Sequence, residues 1–192
     1  MDAATWAFNL QPPESVEVFP AGNYGSKDIA PYGEIGHYQF AANGEQPPIR
    51  LTWYSGGLRP AHPELLPGDS SLSSRGAMFI GDKGIILNNG GTSSAPIIFP
   101  ETLRNSFTPP AQSIPRSKGH HREWIDAIKG GPAAMSNFEY GARLTENVLL
   151  GVLSLRLGGK KIYWDAANMK ATGLPEADVI IREPVRKGWE MG

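Results

Sequence analysis

Ala77-Met78-Phe79-Ile80-Gly81-Asp82-Lys83-Gly84-Ile85-Ile86-Leu87 decides the fold class. Two apolar runs flank four turn-forming residues, with glycine at each end. That is the pattern of a β-hairpin. A phosphate cradle would need a helix after the glycine turn, so that free N–H groups could meet the anion. Here a second strand pattern comes next. No G-x-G-x-x-G run and no Walker pattern occurs elsewhere in the chain. The hairpin therefore predicts antiparallel pairing and argues against a nucleotide site.

Other strand patterns lie to either side. Val16 and Val18 alternate with Ser15, Glu17 and Phe19. His37-Tyr38-Gln39-Phe40-Ala41 and Ile49-Arg50-Leu51-Thr52-Trp53-Tyr54 alternate too, with aromatic and β-branched residues. Gly56-Gly57 ends the latter, and the proline- and serine-rich stretch 57–75 reads as a loop. Pro96-Ile97-Ile98-Phe99 suggests a short strand, at an edge because of Pro96. Two helices are predicted next. In the first, capped by Ser117, His121, Trp124, Ile125 and Ile128 fall on one face, and Gly130-Gly131-Pro132 stops it. The second opens on a capping box, Ser136-x-x-Glu139. Its stripe is Tyr140, Leu144, Val148, Val152 and Leu155, widened by further leucines, so it is expected to lie deep between sheet and neighbours. Lys161-Ile162-Tyr163-Trp164 resembles a last strand, and an extended tail completes the chain.

Residues 2–10 read as a helix in which Trp6 and Leu10 share a face, stopped by Gln11-Pro12-Pro13. The helix starts without a preceding capping residue, which raises the expectation of further sequence upstream. Strands first and helices after them argue for an α+β fold: an open, mostly antiparallel sheet with helices packed on one face. No βαβα alternation occurs, so no Rossmann domain is expected in this chain. The organisation expected is a single domain, 1–192. Residues 1–13 form the opening helix, 14–100 the sheet, 115–160 the helices, and 161–192 the last strand and tail.

Composition narrows the function classes. Among 192 residues the net charge is -1, so nothing points to nucleic acid. The absence of cysteine excludes disulfides, thiolate zinc sites and cysteine nucleophiles. No apolar run approaches the ~18 residues of a membrane span. The first residues lack the basic start and apolar core of an export signal. A soluble protein is expected, with cytoplasm and periplasm both open.

Few residues suggest chemistry. His120 and His121 are followed by Glu123, but adjacent helical side chains diverge by about 100° and cannot easily share one ion. No metal is expected. His121 reads either as a histidine packed on the core or sheet, or as a hydrogen-bonding group for a polyol. His37 and His62 stand alone. No Gly-x-Ser-x-Gly elbow and no evident carboxylate pair occurs. Trp53, Tyr54 and Tyr24 could stack on a sugar or pack the sheet.

Gly119-His120-His121-Arg122-Glu123-Trp124-Ile125-Asp126-Ala127-Ile128-Lys129 resembles the H-x-x-x-W-[IL]-D-x-I stretch of the glucose–fructose oxidoreductase/inositol dehydrogenase/rhizopine-catabolism (Gfo/Idh/MocA) family. Leu51 to Gly57 is similar to that family's W-Y-D-G-G strand end, and Gly76 to Gly84 to its G-x-x-F-x-G-x-x-G hairpin. Leu157 to Asp165 looks like its R-L-G-R-K-L-x-W-D close, and Arg182 to Trp189 like its R-x-x-Y-R-x-x-W ending. The five segments come in the family's order over most of the chain.

The resemblance implies the C-terminal, substrate-binding and oligomerisation domain of an NAD- or NADP-dependent oxidoreductase of sugars or polyols. In that family a separate N-terminal Rossmann domain holds the dinucleotide and a lysine. Met1 to Trp6 resembles the residues just after the family's acid/base histidine. Both groups are therefore expected upstream, with no catalytic and no cofactor-binding residue here. In the parent a base removes a hydroxyl proton while a hydride leaves that carbon for the nicotinamide. The substrate contacts implied by position are Tyr24, His120, His121 and Arg122. The expected partners are a sugar or polyol, the Rossmann domain, and further copies of the chain through the sheet. No dinucleotide is expected to bind this chain alone. Two alternatives stay open: a stand-alone carbohydrate-binding or assembly module, and part of an NAD-dependent glycosidase.

Overall fold

The computed structural model describes residues 1–22, 29–68, 70–91, 96–182 and 184–189. The fold is α+β, and every strand pairing among the described residues is antiparallel. The expected single sheet over 14–100 is instead two sheets in two compact units. Unit 1 comprises Met1–Leu58 and Ala142–Gly192, and unit 2 comprises Arg59–Gly141.

Unit 1 is built on β1 (Ser15–Ala21), β2 (Gly33–Phe40), β3 (Ile49–Ser55), β7 (Ile162–Asp165) and β8 (Lys170–Ala171), in the order β3-β2-β1-β7-β8. Cross-strand register sets the faces. Val16 lies opposite Tyr38 and Ile162, so all three point one way, and they are buried. Glu17, His37 and Thr52 form a row on the other side of the sheet. Helices α1 (Asp2–Phe8) and α4 (Phe138–Arg156) contribute to the core on the Val16 face, α4 through Leu150 and Leu153 and α1 through Ala4 and Phe8. Each buried aliphatic side chain there contributes about 1.5–3 kcal/mol.

Ser154 joins helix to sheet. The pairing of β1 with β7 stops at Val16 and Ile162. Two residues on, where a further ladder bond would fall, Val18 N–H donates to Ser154 Oγ (3.0 Å), and that hydroxyl donates to the Lys160 carbonyl (2.8 Å). Ser154 is fully buried. A helix hydroxyl thus satisfies two strand-end groups that would otherwise be left unpaired.

Several boundaries differ from expectation, each for a physical reason. Helix α1 ends at Phe8 because Asn9 adopts the left-handed conformation (φ 45°), which closes helices. Leu10 therefore lies beyond the helix and is buried, while Trp6 is exposed. Helix α4 is capped by Asn137, whose Oδ1 accepts the Tyr140 N–H at 3.0 Å, and not by Ser136. Its buried positions are Asn147, Leu150, Gly151, Leu153 and Ser154, while Val148, Leu149 and Val152 are exposed. The tail is not wholly extended: it holds β8, a 3-10 turn at Pro175–Ala177 and a short helix α5 (Asp178–Ile181).

Unit 2 holds β4 (Ala77–Ile80), β5 (Ile85–Asn88) and β6 (Ile97–Phe99), with β6 at an edge as Pro96 suggests. A six-residue helix α2 (Glu101–Ser106), not foreseen from the sequence, comes after β6. The glycine turn is the expected hairpin, Gly81 N–H bonding the Gly84 carbonyl at 2.9 Å. Gly84 is required sterically, since a Cβ there would sit 2.2 Å from the Phe99 carbonyl oxygen. Gly76 meets the Asn88 carbonyl oxygen in the same way, at 2.3 Å. Leu66, Ile85 and Leu87 form this unit's small core.

Candidate functional site

Helix α3 (His120–Ile128) lies in unit 2 and carries three of the four expected substrate contacts in its first turn. Tyr24, the fourth, lies outside the described residues. Gly119 occupies the N-cap with φ 106°, which suits a residue without a Cβ. Ser117, expected as the cap, instead accepts the Gly119 N–H at 3.0 Å, two residues along. His120, His121 and Arg122 are all exposed. The two imidazole rings are tilted against each other with centroids 4.1 Å apart. The Arg122 guanidinium binds the Asp126 carboxylate at 3.0 Å, one helical turn on.

Glu123 organises this turn, a role that the residue pattern alone does not suggest. Its carboxylate accepts the Met135 N–H at 3.2 Å, tying the loop after α3 back to the helix. The Ser117 hydroxyl, that backbone bond and the nearby charge of His120 hold its pKa below the usual carboxylate value. The spacing Ser117 to Glu123 and the position of Glu123 in a first helical turn were the available signals.

The histidine at 121 is not packed on a core. None of the α3 residues is buried, and Trp124 and Ile128 are 63% and 68% exposed. The expected apolar stripe exists, but within the chain it stays open to solvent. Helix α3 presents two imidazoles and a guanidinium beside an indole and two isoleucines. Such a surface can donate hydrogen bonds to hydroxyl or carboxylate groups while an apolar face stacks.

Trp53 and Tyr54 cannot stack together on one ligand, because neighbours in a strand point to opposite faces. His37 Nδ1 lies 3.2 Å from Thr52 Oγ1, and the Phe19 ring meets the His37 ring edge-on at 5.8 Å. His62 donates from Nε2 to the Ser70 carbonyl at 3.0 Å, holding its loop. Among the described residues no three His, Asp or Glu side chains converge to hold a metal ion. The Gly81–Gly84 turn leads into β5 and not into a helix, so it offers no helix N-terminus to a pyrophosphate. No described helix is long and apolar enough to cross a membrane. Comparison with protein-family models, with curated proteins and with solved structures gives no match.

Proposed function

We propose that this chain is the substrate-binding and oligomerisation domain of an NAD- or NADP-dependent oxidoreductase that acts on a sugar or polyol hydroxyl. One observation carries the reading. His120, His121 and Arg122, placed by the Gfo/Idh/MocA-like stretch, stand together and exposed in one helical turn beside an open apolar stripe. Imidazole and guanidinium donors suit a polyhydroxylated ligand, and Trp124 suits the C–H face of a sugar. In this reading the chain's own residues bind and orient the substrate. The hydride acceptor and the proton-transfer group belong to the cofactor domain. The exposed stripe of α3 is then the surface that the closed substrate cleft covers.

Ligand-observed NMR on the chain with a panel of polyols, aldoses and both dinucleotides tests this. Polyol or aldose binding that is lost in Arg122→Ala and His121→Ala, with no dinucleotide binding, is the expected result. Tight dinucleotide binding by this chain, or no sugar binding at all, would overturn it.

A further inference from the structure

The two edges of the five-stranded sheet are guarded very differently. One edge is β8, a two-residue strand that carries Lys170. Short edge strands and lysine are common devices against unwanted pairing. The other edge is β3, which runs seven residues as Ile49-Arg50-Leu51-Thr52-Trp53-Tyr54-Ser55. It contains no proline, no glycine, no lysine and no bulge in its register with β2. Among the described residues no other strand pairs with it. An open strand edge of this length and composition is a template for a further strand.

We infer that β3 pairs antiparallel with β3 of a second copy of this chain, joining two five-stranded sheets edge to edge about a twofold axis at Thr52. The sequence of β3 is self-complementary in that register. Ile49 lies opposite Ser55, Arg50 opposite Tyr54, Leu51 opposite Trp53, and Thr52 opposite itself. Seven residues pair, and no other register pairs as many. Registers shifted by one residue would put one copy's core face on the other copy's outer face. At Thr52 the faces match: Leu51 meets the 41% exposed Trp53 on the Val16 side of both sheets. On the opposite side the Arg50 guanidinium meets the Tyr54 ring, a favourable cation–π pair. No like charges face each other, and aliphatic–aromatic cross-strand pairs are stabilising. The contact uses the sheet's edge and leaves both its faces free. It deepens the self-association part of the proposed function and rests on that part alone.

The chain has no cysteine, so single introduced thiols report the register cleanly. Facing residues in an antiparallel pair have Cα atoms about 4.5–5.5 Å apart, within disulfide reach. The expected result is a wild-type mass of twice 20.8 kDa by light scattering. Mild oxidation should convert Thr52→Cys to a covalent dimer and leave Arg50→Cys uncrosslinked, while Arg50→Cys/Tyr54→Cys cross-links. Trp53→Lys, checked for folding by circular dichroism, should be a monomer. A monomeric wild type overturns the pairing, and so does a Thr52→Cys chain that stays monomeric because another strand of its own chain occupies the edge. Equal cross-linking of Arg50→Cys and Thr52→Cys overturns the register. A wild-type dimer that Thr52→Cys does not lock sinks the edge contact and leaves the substrate-domain reading standing, because sugar binding is read separately.

Discussion

Gly151 shows how one missing side chain sets the distance between helix and sheet. A Cβ at this position of α4 would lie 2.1 Å from the Tyr38 hydroxyl oxygen on β2. Alanine is favoured over glycine in a helix by about 1 kcal/mol, but overpacking a full core costs about 1–3 kcal/mol. Tyr38 is only 4% exposed and has little room to yield. Gly151→Ala should therefore destabilise the protein in urea denaturation. With the hydroxyl removed, in Tyr38→Phe, the same substitution should cost less, because the nearest ring carbon then lies 3.2 Å from the added Cβ. Tyr38 also predicts an alkaline limit. Burial, and then the Glu34 charge, push its phenol up to about 12, while the unfolded chain titrates near 10. Below pH 10 the full stability is present. As pH rises towards 12 the unfolded chain gives up its proton first, and stability falls by on the order of 2–3 kcal/mol. Denaturation at stepped pH should show that decline, and Tyr38→Phe should remove it.

At the scale of elements, α4 explains what the sequence could and could not tell. Its existence was legible, since nineteen residues without proline end at Gly158-Gly159. Its buried face was not, because a helix apolar on nearly every side gives periodicity no direction to choose. The buried face is the one bearing Asn147, Gly151 and Ser154, where small and polar groups allow close approach and a hydrogen-bonded link. The cap shows the same ambiguity: Ser136 and Asn137 are both capping residues, and only the backbone decides. Asn137→Ala should cost about 1 kcal/mol and Ser136→Ala almost nothing, a difference thermal unfolding resolves. Of the candidate site, the position of α3 and its first-turn donors were readable from residue pattern and resemblance. Its exposure was not, since a Trp-Ile-Ile stripe looks the same in sequence whether it faces a core or solvent. The antiparallel hairpin was the clearest element, since its glycines are demanded by backbone contacts at Gly76 and Gly84.

For the whole molecule, the division at Leu58/Arg59 and Gly141/Ala142 makes unit 1 from two separate stretches of chain. Every residue from 107 to 122 is exposed and, between α2 and α3, none belongs to a helix or strand. Proteases cut first where backbone is exposed and little of it is hydrogen-bonded. Limited trypsin digestion should therefore cleave first after Arg116 or Lys118, as read by intact mass. Unit 1 should resist longer, because its strands and α4 share one core. Whether that core opens in one step or two can be heard at a single amide. The Val18 N–H is held by a helix serine and not by a neighbouring strand. Its exchange with deuterated solvent thus requires α4 to lift from the sheet, while β1–β2 ladder amides exchange only when the strands part. Equal protection at both would mark one cooperative foldon, and a faster Val18 would reveal a state in which the sheet stands with its helix undocked.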